Sequence, residues 1–329
     1  MDVWRFIAAI SVIWLHATDV SALTAMFRMF SVFAVPFFAA SAAMLAARKG
    51  ATDARTPLAA YAGGRLFRLY LPFFAWSAIY LVLRDTKHVL FHLPLLLPSV
   101  PLLISGAAGH LWFLPFIAVV TILAFSVGRA CRKLPSRVLP ATVLLLVAAA
   151  SCFIACPVPY HHDGFGFLSA LSWRAMPAAF AGVTVGWYLD KAKLVLGRGG
   201  PLLSAAFLAA AALLLTAQFL GGESVWMENL AGLLVLLAAL GPPVVPYFRR
   251  FSAFGELAYG IYLVHIAFLQ LAEAVLDHNH RVDVPWWQVL AAFSFTVAMS
   301  WASAALFLRW PFTRWLVGAA PRRAGKPAD

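Results

Sequence analysis

The sequence predicts an all-α integral membrane protein, a bundle of about ten transmembrane helices. Of its 329 residues, 63% are hydrophobic and only 12% are charged, whereas about a quarter of the residues in a soluble domain are charged. Apolar windows of about twenty residues recur along the chain, and each can cross a hydrocarbon core of roughly 30 Å as a helix. Basic residues concentrate in alternate connecting segments. These observations leave little sequence for a soluble domain.

The apolar windows define the helices in order. We place the spans near residues 4–24, 27–47, 64–84, 109–128, 138–156, 171–189, 201–220, 230–247, 253–276 and 286–308. The first is interpreted as a retained helix, because its apolar run is long and no small-residue cleavage site followed by a soluble domain is present. Prolines in the longest connection, 85–109, predict a short interfacial or re-entrant element there. The membrane domain then covers residues 1–310, and 311–329 form a short, loose, basic cytoplasmic tail.

The distribution of basic residues predicts the orientation of the helices. With ten spans and the amino end inside, the basic residues of the cytoplasmic segments are Arg48, Lys49, Arg55, Arg129, Arg132, Lys133, Arg137, Lys191, Lys193, Arg198, Arg249, Arg250, Arg322, Arg323 and Lys326. Few basic residues fall outside. This positive-inside pattern predicts that both termini are cytoplasmic. It also accounts for the net charge of +12 without nucleic acid as a partner.

The first helix carries ionisable residues on one side. Eleven residues at about 100° each place Arg5 and His16 on the same face, about 16 Å apart along the axis, with Asp19 one turn further. Ala8, Ala9 and Val12 lie between them on this face. Small residues also permit close helix packing, and a histidine can be a hydrogen-bonded core residue. The shared face of three ionisable groups favours a functional interpretation.

Two further helices begin with polar residues. Arg65 and Arg68 lie one turn apart at the cytoplasmic end of the third helix, and the guanidinium fork suits a bridging phosphate. They also fit ordinary inside-anchoring cations that contact lipid headgroups. His110 and Trp112 begin the fourth helix on the outer side, where an acceptor would arrive. An interfacial aromatic belt explains Trp112 equally well.

The ninth helix carries a polar stripe that cannot comfortably face lipid. Its members follow at three- and four-residue steps, with one apolar interruption at position 269: Glu256, Tyr259, Tyr262, His265 and Glu273. A proton relay, a substrate-lining surface and polar contacts between helices are all open for this stripe.

Together these motifs resemble membrane-bound acyltransferase family 3, bacterial inner-membrane enzymes that O-acetylate surface polysaccharides, lipid-linked glycans and periplasmic glucans. The resemblance covers most of the chain. It rests on the Arg5 and His16 spacing, on RLFRLYLP from Arg65, on HLWFL from His110, on YGIYLVH ending at His265, and on VFAVPFFAASAAML in the second helix.

The sequence also departs from the family pattern. Ala42 replaces a glycine after Ser41, and Ala258 replaces a serine before Tyr259. Arg309-Trp-Pro311 replaces a Glu-x-Pro motif, so the acidic partner of that motif is missing. No SGNH hydrolase-like domain is fused to the helices, which indicates the stand-alone form of the family.

The resemblance implies a multi-pass protein of the bacterial inner membrane that uses acyl-CoA, most often acetyl-CoA, as donor substrate. It implies no tightly bound cofactor and no metal. The acceptor is a hydroxyl of a polysaccharide or lipid-linked oligosaccharide, and glycan-assembly proteins are expected partners. An extended pantetheine arm, about 15–20 Å long, matches the Arg5 to His16 separation.

We therefore assign roles as hypotheses. Arg5, Arg65 and Arg68 hold the nucleotide phosphates of the donor. His16 acts as general base, with Asp19 orienting its ring. An acetyl-imidazole intermediate on His16 is the competing mechanism. The residues expected to line the acceptor path are His110, Trp112, Tyr259, Tyr262, His265 and Glu256.

Two other classes of protein are compatible with the sequence. A proton-coupled transporter or flippase for a sugar or lipid-linked glycan would use Asp19, His16 and His265 as a proton relay. That class gives no reason for paired arginines beside a groove of donor length. A structural subunit of a polysaccharide export assembly would tolerate the loss of every ionisable group named above.

Overall fold

The computed structural model describes residues 1–17, 22–90, 104–154, 164–244, 253–276 and 284–319. Within these ranges the chain forms α-helices and short 3₁₀ turns and no strands. The α-helices are α1 Asp2–His16, α2 Ala22–Ser31, α3 Ala34–Thr52, α4 Leu58–Leu90, α5 Phe113–Ala130, α6 Val138–Ile154, α7 Gly164–Trp187, α8 Leu189–Gly221, α9 Val225–Leu240, α10 Ala258–Val275 and α11 Trp286–Arg309. A 3₁₀ turn, Gly109–Trp112, precedes α5, and another, Arg314–Val317, follows α11.

The lengths and hydropathy of these elements are those of a multi-pass membrane protein. In the described part of the chain, 6 segments are long and apolar enough to cross a membrane: Thr24–Thr52, Leu58–Thr86, Gly109–Lys133, Leu189–Gly221, Ala258–Val275 and Trp286–Arg309. Two further apolar helices, Val138–Phe153 and Val225–Leu240, are shorter. The all-α membrane fold is thus confirmed, whereas the number of ten spans and the cytoplasmic termini stay predictions.

The first span differs from its prediction. α1 ends at His16, and Ala17 is extended, with φ −66° and ψ 113°. The sequence that follows contains threonine and aspartate, which favour turns over helix interiors. The prediction of one helix through residue 24 was wrong. Helical periodicity therefore gives no basis for placing Asp19 on the face of Arg5 and His16, and Asp19 lies outside the described residues.

Other helix boundaries also differ from those predicted: the predicted span 27–47 is divided between α2 and α3, and α4 begins at Leu58 rather than near residue 64. α4 continues to Leu90, so the first residues of the predicted 85–109 connection are helical, and residues 91–103 lie outside the described ranges. α8 begins at Leu189 and bends at Gly200, whose φ of 62° suits glycine. Pro201 follows the bend, at the residue where the predicted span begins.

Small residues let α3 pack closely against its neighbours. Its inner face includes Ala40 and Ala47, both fully buried. Gly182 of α7 lies against the Ala40 carbonyl, and Gly128 of α5 lies against the Ala47 carbonyl, with no room for a Cβ atom at either glycine. Such close backbone approach is the usual basis of helix association in lipid. α3 is therefore fixed between α5 and α7.

Polar contacts bridge a proline in α7. Pro177 lacks a backbone N–H, which interrupts the helical hydrogen-bond ladder. The side-chain oxygen of Asn229 in α9 accepts a hydrogen bond from the Ala178 N–H at 2.9 Å, and its amide donates to the Arg174 carbonyl at 2.7 Å. The Arg174 guanidinium also donates to the Glu228 carboxylate at 2.7 Å. These bonds join α7 to α9.

The loop before α4 is held by side-chain hydrogen bonds. Asp53 accepts the Thr56 hydroxyl at 2.6 Å, the Thr56 N–H at 3.1 Å and the Arg55 N–H at 2.9 Å. The bond from the Thr56 hydroxyl is the main cause that lowers the pKa of the Asp53 carboxyl. Arg129 of α5 donates to the Thr56 carbonyl at 2.7 Å. The start of α4, and with it Arg65, is thereby tied to α5.

Replacing Gly182 by alanine should destabilise the protein by about 1–3 kcal/mol, because the added methyl group meets the α3 backbone. Gly197→Ala is the matched control, since a Cβ atom at this helical glycine meets no atom within 4 Å. Alanine has the higher helix propensity at both positions, so the control should be neutral or slightly stabilised. The measurement is the thermal unfolding midpoint of each purified variant. Equal midpoints for the two variants would contradict the proposed packing.

Candidate functional site

A cavity of about 380 Å³ lies between α1, α3, α4, α5, α10 and the C-terminal 3₁₀ turn. Its described lining includes four arginines and one carboxylate: Arg5, Arg65, Arg68, Arg314 and Glu256. Apolar and aromatic side chains form most of the remaining wall. An excess of positive charge in a concave, partly apolar site indicates an anionic ligand with an apolar portion.

Two other depressions lack this combination. One, of about 490 Å³, lies between the α5–α6 loop and the α7–α8 junction and contains Arg137 and Lys191 beside Asp190. The other, of about 460 Å³, lies between α1, α2 and α11 and is lined by apolar residues and two serines. We therefore take the cavity with four arginines as the candidate site.

The three arginines predicted to bind the donor all reach this cavity. Arg5 makes one loose ion pair, at 3.7 Å from Asp2, and both side chains are about half exposed. The Arg65 Nε donates to the Tyr61 hydroxyl at 3.3 Å, and its guanidinium lies over the Tyr61 ring. Arg68 has no carboxylate partner within 4.0 Å among the described residues. The three guanidinium groups thus lie around one cavity, and among the described residues only Arg5 has a carboxylate within 4.0 Å.

Arg314 is a cavity residue that sequence reasoning missed, since residues 311–329 were expected to be a loose tail. For residues 311–319 that expectation was wrong, because they fold back onto the bundle. Trp76 of α4 donates its indole N–H to the Leu316 carbonyl at 3.0 Å. Gly318, with φ 66°, packs against the Tyr259 ring. The only sequence signal was a glycine after the short apolar run that follows Arg314.

Three histidines from different elements meet in the core. His16 ends α1, His110 lies in the 3₁₀ turn before α5, and His265 lies in α10. The ring centroids are 6.1 Å apart for His16 and His110, 5.3 Å for His16 and His265, and 4.8 Å for His110 and His265. His110 is 2% exposed and His265 is fully buried. Each was a candidate from sequence, but their convergence was not predicted.

Hydrogen bonds indicate the protonation of one histidine ring. The His265 Nδ1 lies 2.7 Å from the Tyr262 carbonyl oxygen, which can only accept, so Nδ1 carries a proton. In the neutral ring, His265 Nε2 is then an acceptor. This atom and both ring nitrogens of His110 have no hydrogen-bond partner within the described residues. Buried polar atoms without partners are uncommon and are often found at functional sites.

The histidines do not form a metal site in the described part of the chain, where no group of three His, Cys, Asp or Glu side chains has the required arrangement. Their surroundings are aromatic. The Tyr80 ring lies 5.3 Å from the His110 ring, and the Tyr80 hydroxyl donates to the Leu263 carbonyl at 2.8 Å. Aromatic side chains thus surround the His110 ring.

Aromatic side chains lie between the cavity and the buried rings of His110 and His265. Tyr262 lines the cavity, donates its hydroxyl to the His110 carbonyl, and has its ring 6.0 Å from the His265 ring. Phe113 and Phe38 line the cavity beside it. His16 is not among the described lining residues, so the expectation of one open groove from Arg5 to His16 was wrong. The reason is that α10 places Tyr262 between the cavity and His265.

The other predicted acceptor-path residues have different positions. Glu256 precedes α10 and lines the cavity with an exposed side chain, and Tyr259 lines it one turn later. The Tyr259 hydroxyl is buried without a hydrogen-bond partner in the described structure. Trp112 does not line the cavity and packs against Phe116 in the core instead.

Comparison with known proteins agrees with the motifs. A family model described as an acyltransferase domain, that of acyltransferase family 3, matches residues 1–305. This range includes the three histidines and all the cavity arginines except Arg314. No curated protein and no solved structure matches the chain. The match extends over nearly the whole chain, so the protein belongs to membrane-bound acyltransferase family 3 and is an acyltransferase.

Proposed function

We propose that this acyltransferase transfers an acetyl or similar acyl group from cytoplasmic acyl-CoA to a glycan hydroxyl. The acceptor is a cell-surface or lipid-linked glycan, and the enzyme acts in the bacterial inner membrane. One observation supports this most strongly. The cavity with four arginines is lined by Tyr262, and the same Tyr262 side chain contacts the buried His110 and His265.

The cavity suits the nucleotide end of the donor. Arg5, Arg65 and Arg68 bind its phosphates, because guanidinium groups form paired hydrogen bonds with phosphate oxygens. The apolar wall of the cavity accommodates the pantetheine arm. This arm spans about 15–20 Å, and α1 places His16 about 16 Å from Arg5 along its axis.

The thioester reaches His16 only if Tyr262 moves aside. Its rotation breaks the hydrogen bond to the His110 carbonyl, at a cost of about 0.5–1.5 kcal/mol. Binding of the donor phosphates supplies more than this amount, since each hydrogen bond to a charged group contributes about 1.5–3 kcal/mol. Donor binding thus opens the path to the histidines, and the closed layer shields them otherwise.

His16 is the general base. It takes the proton from the acceptor hydroxyl as that oxygen attacks the thioester carbonyl carbon. The tetrahedral intermediate then collapses, the carbon–sulfur bond breaks, and His16 returns the proton to the leaving thiolate. The products are the O-acyl glycan and CoA. In the competing mechanism His16 attacks the thioester first, CoA leaves as the thiolate, and the acceptor hydroxyl then takes the acyl group from the acyl-imidazole and gives its proton to the thiolate.

His265 is well placed to orient His16. Its Nε2 is an acceptor without a partner among the described residues, and its ring lies 5.3 Å from the His16 ring. A small shift allows it to accept the N–H of His16 and leaves the other nitrogen of His16 free as the base. Asp19 is the alternative orienting residue. His110, Tyr259 and Glu256 are proposed to contact the substrates, and Trp112 to support His110 by packing.

Family membership argues against the transporter and the structural-subunit interpretations, because both lack a reaction. Incubating the purified protein with labelled acetyl-CoA distinguishes an acyltransferase from a transporter or a structural subunit. An acyltransferase binds it and releases CoA when acceptor is present, whereas a transporter or a structural subunit ignores it.

His16→Ala should reduce acetyl incorporation into the surface glycan at least about hundredfold, because general base catalysis contributes about 10²–10⁴. The measurement is made in a strain that lacks its own copy, at equal protein level. Ser11→Ala on the same helix is the control, since Ser11 lines the separate depression between α1, α2 and α11. Normal acetylation by the His16 variant would exclude the mechanism.

Arg68→Ala should weaken equilibrium binding of acetyl-CoA about tenfold, the lower end of the effect of one charge-assisted hydrogen bond. Arg55→Ala is the control, because Arg55 is an exposed arginine of the α3–α4 loop that does not line the cavity. If both variants bind acetyl-CoA with the affinity of the unaltered protein, the donor is not bound at this cavity.

A further inference from the structure

We propose that Arg314 binds a phosphate group of the acyl-CoA donor and is the fourth cation of the donor site. This inference rests on the proposed function. It adds the C-terminal 3₁₀ turn, Arg314–Val317, to the site. The turn lies beyond the residues 1–305 that match the family model.

The turn is held against the bundle beside the cavity by contacts on several sides. The Leu316 carbonyl accepts the Trp76 indole N–H at 3.0 Å. Val317 packs against Gly260 of α10, and Gly318 against the Tyr259 ring. Gly318 has a left-handed conformation that other residues rarely adopt, and a Cβ atom there would collide with Tyr259. The position of Arg314 is thus determined by the fold.

The charge of Arg314 is not balanced within the described structure. It forms no ion pair within 4.0 Å there, although Glu256 lines the same cavity. Its Nε atom is buried and has no hydrogen-bond partner in the described ranges. A buried guanidinium nitrogen without a partner is costly, and an anionic ligand removes that cost.

Charge repulsion leads to the same conclusion. Arg314 shares a cavity of about 380 Å³ with Arg5, Arg65 and Arg68. Four guanidinium groups in this volume repel one another unless an anion bridges them. CoA carries a pyrophosphate and a further phosphate on its ribose, so it offers more than one bridging group. A lipid phosphate has the same chemistry, and the experiment must distinguish the two.

The test compares a donor with phosphates and a donor without them. Arg314→Ala, Arg314→Lys and the unaltered protein are assayed in inside-out membrane vesicles that contain the acceptor glycan. The donors are acetyl-CoA and acetyl-pantetheine, which lacks every phosphate. Arg309→Ala is the control, because Arg309 is a nearby exposed arginine that does not line the cavity.

We expect Arg314→Ala to raise the KM for acetyl-CoA about tenfold, with kcat changed less than about twofold. The KM of Arg314→Lys for acetyl-CoA should lie between that of the unaltered protein and that of Arg314→Ala. Lysine keeps the positive charge but lacks the planar pair of donors of the guanidinium group. Neither variant should change kcat/KM for acetyl-pantetheine. A purely structural role would instead lower activity with both donors equally, and that result would overturn the proposal.

Binding of acetyl-CoA in nanodiscs identifies the source of the phosphate. The Arg314→Ala defect should be the same in zwitterionic and in anionic lipid. A defect confined to anionic nanodiscs would assign Arg314 to a lipid headgroup and overturn the proposal. If the unaltered protein binds acetyl-CoA and Arg314→Ala binds it equally well, only this inference fails. If the unaltered protein neither binds nor uses acetyl-CoA, the proposed function fails as well.

Discussion

A hydrogen bond from the Tyr262 hydroxyl to the His110 carbonyl joins the arginine-lined cavity to the histidine cluster. On one side of Tyr262 lies a cavity with unbalanced guanidinium charge, and on the other lie the buried His110 and His265, with the partly exposed His16 beside them. α10 creates this order by itself, since Tyr259, Tyr262 and His265 follow at three-residue steps along one side. In the proposed mechanism this layer must be displaced before the thioester of the donor reaches His16.

Close helix packing maintains these distances. α3 lies between α5 and α7 through backbone contacts at Gly128 and Gly182, and it contributes Ser41 and Ala42 to the cavity wall. The family pattern has a glycine where Ala42 stands, so the wall here carries an additional methyl group. The loop bonds of Asp53 and the C-terminal turn fix α4 on both sides of the cavity. The cavity arginines of α4 thus extend from a closely packed scaffold.

The sequence predicted much of this arrangement. Composition and apolar windows are sufficient for an all-α membrane fold, because lipid permits few alternatives to buried backbone hydrogen bonds. The motif spacing also identified Arg5, Arg65 and Arg68, which share one cavity in the structure. Periodicity failed at His16, because the predicted helix was continued through the threonine and aspartate that follow, which favour turns. Periodicity also gives no distances between helices, so the sequence could not show that the three histidines lie close together. Arg314 was missed because a four-residue turn has no periodic pattern.

A structure with a bound, unreactive thioether analogue of acetyl-CoA tests the relation between cavity and histidines most directly. We expect its phosphates within hydrogen-bond distance of Arg5, Arg65 and Arg68. Tyr262 should be rotated away from the His110 carbonyl, with the acetyl carbonyl of the analogue beside His16. An analogue bound elsewhere, or bound in the cavity with Tyr262 in place and no path to His16, would contradict the mechanism.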